Sequence, residues 1–365
     1  MRDDGLYVGV MSGTSVDGVD AVLVDFSRGA PLTRSFVSVP FEHDMRERIL
    51  DLCAPGRDSL DLAGSVSVDL AQVYATAVER ALSSAGVRPD EIRAIGCHGQ
   101  TVRHRPERGF TIQLNDAARL AELTRIEVVA DFRSRDVAAG GQGAPLVPAF
   151  HEAIFRKHGV ARAIVNIGGM ANVTWLPGTG QILGFDCGPG NVLMDAWTLR
   201  HEAASFDEDG RWASTGSVDA SLLEELLTEP FLALAPPKST GRELFGMAWL
   251  EGFVTAKHGP ADVQATLAAF TAVSIVRAID RFCPSTDEIF LAGGGARNAH
   301  LVARIRGAAA PRCVEATDAL GVPSGWVEPL AFAWLAMKCV KREPVDMRSV
   351  TGAVAPRVLG AIYPA

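Results

Sequence analysis

Apolar and polar positions alternate along this chain with two different periods. Short apolar runs rich in β-branched residues predict strands, and longer segments with apolar residues every three to four positions predict helices. The predicted strands are residues 6–10, 21–26, 36–39, 94–101, 110–114, 127–130, 162–167, 173–176, 182–185 and 288–292. The predicted helices are residues 61–85, 117–124, 149–158, 192–203, 221–227, 247–257, 262–282, 298–307 and 326–339. Such alternation of strands and helices is typical of an α/β fold.

The pattern that opens the chain recurs near its middle. Residues 6–26 predict a strand, a glycine-rich turn and a returning strand, and residues 162–176 repeat that order. The length of 365 residues is more than one hydrophobic core usually serves. We therefore expect two domains with a duplicated fold. The glycine-rich segment 138–145 predicts a hinge or a crossing between the domains.

The composition disfavours several classes of protein. Apolar residues make up 48% of the chain, which is enough for packed cores. With 35 basic and 43 acidic side chains the net charge is −8, whereas a general nucleic-acid binder needs a basic face. Acidic residues lie close to the first methionine, so we expect no secretory signal. The chain has no long uninterrupted apolar stretch, so we expect no membrane span. The six cysteines form no CxxC pair, so we expect reduced thiols in the cytoplasm.

The turn between the first two strands, residues 9–18, is rich in glycine and hydroxyl side chains. Glycine lets the backbone approach a ligand closely, and N–H groups together with the hydroxyls of Ser12, Thr14 and Ser15 suit phosphate oxygens. Asp17 suits Mg²⁺. An ordinary hairpin turn would have the same composition, so both interpretations stay open. The turn is neither a GxxxxGK[ST] loop nor a GxSxG nucleophile elbow.

Polar residues end the fourth predicted strand, where α/β proteins commonly place a ligand cleft. His98, Gln100 and Thr101 are therefore candidates to hydrogen-bond sugar hydroxyls. Cys97 is next to His98, and neighbours on a strand face opposite ways, which is poor geometry for a Cys/His nucleophile pair. We interpret Cys97 as a buried thiol. Metal ligation by His98 and His104 is a weaker alternative.

Two arginines precede the glycine-rich segment. A guanidinium near a hinge can clamp a carboxylate with two parallel hydrogen bonds. We favour that role for Arg133, and we interpret Arg135 as part of a surface salt-bridge cluster.

Asp186 follows a predicted strand and precedes glycines that open a helix. A carboxylate in this place can act as a general base toward water or a sugar hydroxyl. Gly188, Gly190 and Asn191 would let a phosphate approach the helix N-terminus. The alternative is that Asp186 only caps a turn.

Three consecutive glycines, Gly293 to Gly295, lie between a strand and a helix. Each glycine costs backbone entropy, so three in a row have no benefit for stability. We interpret them as flat access for the adenosine part of a nucleotide. Glu328, at the start of the last long helix, is a further candidate carboxylate.

In this order the segments resemble the anhydro-N-acetylmuramic acid kinases, which belong to the sugar kinase/Hsp70/actin superfamily. The matching segments are residues 11–20, 97–101, 131–133, 140–148, 166–172, 185–197, 238–243 and 293–298. The resemblance thus covers nearly the whole chain. One departure is Cys187, where threonine is usual in the family, and we expect it to weaken a phosphate or water contact.

The resemblance implies a two-lobed, ribonuclease H-like α/β fold with ATP between the lobes. The N-terminal lobe would comprise residues 1–130 with about 342–365, and the C-terminal lobe residues 131–341. The implied reaction uses ATP and Mg²⁺ on an anhydro amino sugar: water opens the 1,6-anhydro ring while O6 is phosphorylated. The implied setting is cell-wall recycling in the cytoplasm, by a homodimer with no nucleic-acid or membrane partner.

The resemblance also implies roles for individual residues, with Asp186 as the catalytic base. The implied nucleotide contacts are Ser12, Gly13, Thr14, Ser15, Val16, Asp17, Gly18, Val19, Gly168, Gly169, Asn172, Gly188, Gly190, Asn191, Gly293, Gly294, Gly295 and Asn298. The implied sugar contacts are His98, Gln100, Thr101, Asp131, Arg133 and Gln142. The implied metal ligands are Asp17 and Glu328.

Three other functions stay open from the sequence. A kinase for another anhydro sugar, such as levoglucosan, would share the fold and the base. An ATPase-only relative of Hsp70 or actin would work by nucleotide-driven closure. A thiol hydrolase using Cys97 or Cys187 is the most remote alternative.

Overall fold

The computed structural model describes residues 5–28, 31–54, 56–57 and 59–365. The strands are β1 (Leu6–Met11), β2 (Gly18–Asp25), β3 (Leu32–Pro40), β4 (Ile92–Cys97), β5 (Gln100–Arg105), β6 (Phe110–Leu114), β7 (Val128–Ala130), β8 (Arg162–Ile167), β9 (Met170–Leu176), β10 (Leu183–Pro189), β11 (Glu288–Ala292), β12 (Cys313–Ala316) and β13 (Ala361–Tyr363). The helices are α1 (His43–Cys53), α2 (Leu60–Ala85), α3 (Ala117–Thr124), α4 (Phe132–Ala138), α5 (Val147–Phe155), α6 (Val192–Glu202), α7 (Ala220–Leu226), α8 (Pro230–Ala233), α9 (Met247–Leu250), α10 (Pro260–Phe282), α11 (Ala299–Ala309), α12 (Val327–Val340) and α13 (Arg348–Thr351).

The chain divides into two compact units. Met1–Phe150 and Trp326–Ala365 form the first, and His151–Gly325 forms the second. Each unit contains a mixed sheet with helices packed on it, which confirms the predicted α/β class.

The first unit is built on a six-stranded sheet of order β13-β7-β4-β1-β2-β3. The strand β1 pairs antiparallel with β2 and parallel with β4, so it lies in the middle of the sheet. Because successive residues of a strand face opposite sides, Val8 and Val10 enter the core beneath α2 while Gly9 lies against α12. Both faces of β1 are therefore covered by helices.

The helix α2 confirms the longest helical prediction. Its N-cap is Ser59, whose hydroxyl accepts a hydrogen bond from the N–H of Leu62. It ends at Gly86, which has a left-handed φ of 64° that a residue with a Cβ would adopt at a cost. Between these caps Val66 and Leu70 are among the apolar residues that face the sheet.

Two neighbouring glycines allow α12 to lie directly on the central strands. Gly9 and Gly96 are register partners on β1 and β4. A Cβ at Gly9 would lie 1.8 Å from the carbonyl oxygen of Pro329, and a Cβ at Gly96 would lie 2.1 Å from that of Phe332. Any larger side chain would push the helix off the sheet.

The first unit is larger than the N-terminal lobe that the sequence predicts. It includes residues 131–150 and 326–341, which were expected in the other lobe. The reason is tertiary packing that no periodicity reveals, since α12 contacts β1 and β4. The segment 138–145, predicted as a hinge, also lies inside this unit.

The second unit contains a five-stranded sheet of order β10-β9-β8-β11-β12. Its first three strands are antiparallel, and β8, β11 and β12 are parallel. In the first unit β3, β2, β1, β4 and β7 follow the same order with the same directions. This shared topology confirms the duplication that the repeated strand–turn–strand pattern indicates.

The helix α10 is the main core helix of the second unit. It is long and apolar enough to cross a membrane by length and composition, but 83% of its most apolar window is buried inside the protein. Burial of this extent is typical of a core helix in a globular domain.

Some elements differ from the sequence predictions. The segment 94–101 divides into β4 and β5, because Gly99 takes a φ of 80° and turns the chain between them. The predicted helix 247–257 shortens to α9, and Phe253 in the turn that follows packs against Trp249 of the helix. The elements that were not predicted are the helices α1, α4, α8 and α13 and the strands β12 and β13.

We predict that Gly9→Ala destabilises the protein by more than about 3 kcal/mol, because overpacking against a backbone carbonyl cannot be relieved by a side-chain rotation. The matched control is Gly64→Ala in α2, where an added Cβ meets nothing within 4 Å. This control should stabilise the protein by about 0.5–1 kcal/mol. Urea unfolding measures both, and an unchanged midpoint for Gly9→Ala would contradict the packing described.

Candidate active site

The turn that joins β1 to β2 presents backbone groups rather than side chains over much of its length. Val16 has a φ of 55°, and its N–H donates to the carbonyl of Gly13 at 3.2 Å. The side chains of Val16 and Val19 are buried, so neither side chain is presented to a ligand. Thr14 and Asp17 are exposed. The turn thus has the close-approach backbone that a phosphate site requires.

Buried polar groups hold this turn in shape. The Ser12 hydroxyl lies 2.9 Å from the Tyr74 hydroxyl and donates to the Gly99 carbonyl at 3.3 Å. The Gln100 amide donates to the Gly13 carbonyl at 3.1 Å. The Gln100 Oε1 atom is buried without a hydrogen-bond partner among the described residues. Ser12 and Gln100 were predicted as ligand contacts. Their buried side chains also hold the turn in place through these hydrogen bonds.

Asp17 and Glu328, the predicted metal ligands, both belong to the first unit. The Ser15 hydroxyl donates to Asp17 Oδ1 at 2.8 Å, and Glu328 lies in the first turn of α12. Within the described residues no group of three or more His, Cys, Asp and Glu side chains could hold a metal. Mg²⁺ commonly takes only one or two protein carboxylates together with substrate phosphates, and an exposed carboxylate beside a phosphate-type turn fits that need.

His98 and Arg133, predicted separately as sugar contacts, are direct neighbours. The Arg133 Nε–H donates to His98 Nε2 at 2.9 Å, and an Arg133 terminal N–H donates to the Gly143 carbonyl at 2.8 Å. The His98 ring lies against Phe332 of α12, with ring centroids 4.6 Å apart. Burial and the adjacent guanidinium hold the pKa of His98 well below its ordinary value. His98 is therefore a neutral acceptor at physiological pH.

Asp136 supports this pair and was not singled out from the sequence. Its carboxylate accepts from the Gly143 N–H at 2.7 Å and from the Thr351 hydroxyl at 2.9 Å. The Gln142 N–H donates to the Thr351 carbonyl at 2.9 Å. Burial raises the pKa of Asp136. The glycine-rich segment predicted as a hinge is thus held by hydrogen bonds on both sides, with its Gly143 carbonyl placed on the guanidinium.

The structure does not join every predicted sugar contact to this pair. The Thr101 hydroxyl accepts from the Gln113 amide at 3.2 Å, across the β5–β6 hairpin. The Asp131 and Gln142 side chains are exposed. In the described parts of the chain neither of these two side chains hydrogen-bonds to another residue.

In the second unit the predicted phosphate residues form one backbone cluster. The Gly168 carbonyl accepts a hydrogen bond from the Asn191 N–H, and the Gly169 carbonyl accepts one from the Gly190 N–H, each at 2.8 Å. A Cβ at Gly190 would lie 2.3 Å from the Gly168 carbonyl oxygen. The glycines therefore let the β8–β9 turn meet the residues that begin α6, and the turn carbonyls accept the first N–H groups at that helix start.

Asp186 lies on β10, in line with two asparagines of the adjacent strands. It is the register partner of Asn172, which in turn is the partner of Asn166. The Asp186 Oδ2 atom accepts the N–H of Thr240 at 2.9 Å, and the Asp186 N–H donates to the Lys238 carbonyl at 3.1 Å. The carboxylate is thus held in one orientation by a backbone donor from a segment distant in the sequence.

Directly after Asp186 the strand contains a β-bulge, with Cys187 as the extra residue. Bulges re-aim the side chains beside them. The Cys187 thiol is buried in the core and donates to the Ala171 carbonyl at 3.2 Å, and burial raises the pKa of this thiol. The thiol therefore offers nothing to a phosphate in this orientation, and the weakening of a phosphate or water contact stays a prediction.

The three consecutive glycines lie against the end of β8. A Cβ at Gly293 would lie 2.5 Å from Asn166 Oδ1, and a Cβ at Gly295 would lie 2.3 Å from Ile167 Cγ2. Close backbone packing thus requires at least these two glycines, in addition to any access for a nucleotide. Asn298 caps α11, since its Oδ1 accepts the Leu301 N–H at 3.0 Å.

Sequence comparisons identify close relatives of the whole chain. The family model described as "Anhydro-N-acetylmuramic acid kinase" matches residues 5–365. A protein of that name from Nitrosospira multiformis is 52% identical over 361 residues, which cover 98% of this chain and 99% of the relative. Another from Burkholderia orbicola is 51% identical over 369 residues, which cover 99% of this chain and 97% of the relative.

Solved structures show only a distant likeness. A ROK hexokinase from Thermus thermophilus aligns with a TM-score of 0.38 at 19% identity, covering 90% of this chain and 97% of that one. An activator of the 2-hydroxyisocaproyl-CoA dehydratase from Clostridium difficile, with bound ADPNP, aligns with a TM-score of 0.48 at 12% identity, covering 92% and 96%.

We predict that Cys187→Ala destabilises the protein by about 1–2 kcal/mol, because it removes buried volume and leaves the Ala171 carbonyl without its donor. Cys187→Thr should stay within about 1 kcal/mol of the parent, since its hydroxyl can donate to the same carbonyl. Cys313→Ala is the control, because Cys313 is exposed. Urea unfolding compares the three, and equal stability of Cys187→Ala and the parent would contradict the buried bond.

Proposed function

The chain belongs to the anhydro-N-acetylmuramic acid kinase family, and from that premise we propose a specific reaction. The protein uses ATP and water to convert 1,6-anhydro-N-acetylmuramic acid into N-acetylmuramic acid 6-phosphate and ADP. The observation that supports it most is the Asp186 carboxylate, which the Thr240 N–H orients beside the glycine turns of the second unit.

The proposed chemistry balances as one coupled displacement. The Asp186 carboxylate takes a proton from water as the water oxygen bonds to the anomeric carbon. The bond from that carbon to O6 breaks, and O6 bonds to the γ-phosphorus while the bond from phosphorus to the ADP oxygen breaks. The proton then leaves Asp186 for solvent. General base catalysis of this kind contributes about 10²–10⁴-fold.

We assign nucleotide contacts in each unit separately. We assign the phosphates to the turn of residues 12–19 and to the Gly168–Gly169 turn, with Gly190 and Asn191 packed against the latter through their own hydrogen bonds. Residues 293–298 receive the adenosine part. Asp17 and Glu328 are the carboxylates assigned to Mg²⁺, which when bound neutralises charge on the phosphates.

Arg133 is the residue that we assign to the lactyl carboxylate of the sugar. Its guanidinium is already oriented by His98 and by the Gly143 carbonyl, so a bidentate ion pair costs little further ordering. His98, Gln100 and Thr101 are assigned to hydroxyl and amide groups of the substrate. We also propose that the protein acts as a cytoplasmic homodimer in the recycling of cell-wall sugars.

We predict that Asp186→Asn lowers kcat by about 10²-fold or more, because the amide cannot accept the water proton. Nucleotide affinity should stay within about twofold, since the phosphate contacts are backbone groups. Sugar-dependent ADP release measures the first quantity, and displacement of a fluorescent ATP analogue measures the second.

The matched control is Asp195→Asn, on α6 of the same unit. Near-parental turnover in Asp186→Asn would contradict the assigned base. ATP hydrolysis that no anhydro sugar stimulates would instead favour the ATPase-only function.

We predict that Arg133→Met raises the KM for the muramic substrate by about tenfold or more, which is the value of a charged hydrogen bond. Any turnover of levoglucosan, which has no lactyl group, should change much less. Arg135→Met on the same helix is the control, because Arg135 is exposed. Parallel assays of both sugars decide between them, and equal loss on both would contradict a lactyl contact.

A further inference from the structure

Lys238 is a buried lysine with an unusual set of partners. Its side chain lies within the aromatic cage (Phe185, Phe231 and Phe282), with Nζ between 4.7 and 5.9 Å from the ring centroids. The ammonium donates to the carbonyls of Phe231 and Leu232, each at 3.1 Å. Among the described residues no carboxylate lies within ion-pair distance of it. The residue is 9% exposed, and burial lowers the pKa of its ammonium.

Stability alone does not explain a lysine in this place. A buried charge has a desolvation penalty that aromatic faces and carbonyls offset only in part. Hydrophobic residues of similar size at buried ionic positions are often neutral or stabilising. By stability alone, an aliphatic side chain would therefore fill the cage at least as well. The hydrogen bonds of the ammonium instead suggest a role in holding the backbone of this segment in place.

The backbone around Lys238 lies along Asp186. The Lys238 carbonyl accepts the Asp186 N–H at 3.1 Å, and two residues later the Thr240 N–H donates to Asp186 Oδ2 at 2.9 Å. The strand β10 is an edge strand, so residues 238–240 cover its open side at the bulge. The segment is thus attached through its backbone to Asp186 and through the lysine side chain to the core.

We propose that Lys238 is a positioning residue for Asp186. By fixing residues 238–240 on the core it keeps the Thr240 N–H on the carboxylate, which orients that group and favours its ionised form. A general base must be ionised before it can take a proton. The inference rests on the proposed role of Asp186.

The ionisable groups near this cluster define how pH should act on it. They are the Asp186 carboxylate itself, the cations Lys238 and Arg281, and the thiols of Cys187 and Cys283, with Lys238 and Asp186 interacting electrostatically. Burial raises the pKa of Cys187, and it raises the pKa of Cys283 to about 12, so both thiols stay protonated between pH 5 and 9. The acid side of the kcat/KM profile then reports the carboxylate.

The test is the pH profile of Lys238→Met. This variant keeps a long side chain in the cage but removes the ammonium and both of its hydrogen bonds. We expect kcat to fall by about tenfold or more, with the KM for ATP within about twofold. A carboxylate that loses its N–H donor or a nearby positive charge is protonated at higher pH, so the acid limb should move upward by about one pH unit. Thr240→Pro keeps the Lys238 charge, so a comparable shift in that variant assigns the effect to the N–H donor rather than to the charge. Lys238→Arg should restore most of both properties.

Lys257→Met is the control, because Lys257 is an exposed lysine of the same unit. Parental kcat and an unmoved acid limb in Lys238→Met would overturn the proposal. In the Asp186→Asn background, Lys238→Met should cause no further loss, and a full additional loss would also overturn it.

Should Lys238→Met fail to fold, Thr240→Pro removes the donor N–H without entering the cage. It should move the acid limb in the same direction, and an unmoved limb would overturn the proposal. If the parent is active and the acid limb of the variant does not move, only the proposed role of Lys238 is contradicted. A parent that phosphorylates no anhydro sugar contradicts the proposed function, and this inference with it.

Discussion

The close approach of α12 to the central sheet positions much of the first unit. It is possible because Gly9 and Gly96 are side by side and have no Cβ to meet the helix carbonyls. The same approach brings Phe332 against the His98 ring, and His98 accepts the hydrogen bond that orients Arg133. The proposed sugar contacts therefore depend on two glycines that are buried under α12.

In the second unit, too, glycines without a Cβ allow neighbouring segments to pack closely against the sheet. Gly190 lets the start of α6 meet the β8–β9 turn, and Gly293 and Gly295 let the next loop lie against the end of β8. Glycine in these places satisfies packing and ligand access together, because both require a backbone without a side chain. Asp186 belongs to the same cluster, held by the segment that Lys238 attaches to the core.

The sequence predicts the strands of both hairpins, the duplication and the two long helices α2 and α10, since these follow local periodicity. It does not reveal that α12 belongs with the first strands, because that depends on contacts between residues more than 200 positions apart. Asp136 was overlooked for the same reason, as its partner Thr351 is distant in sequence. The inward orientation of Cys187 depends on a bulge that no composition indicates.

The central claim is that one enzyme adds both water and phosphate to the sugar. The most direct test incubates the protein with ATP, Mg²⁺ and 1,6-anhydro-N-acetylmuramic acid and weighs the sugar product by mass spectrometry. The account predicts a gain of one phosphate group plus one water for each ADP released. A product that gains phosphate without water, or ADP release with an unchanged sugar, would contradict it.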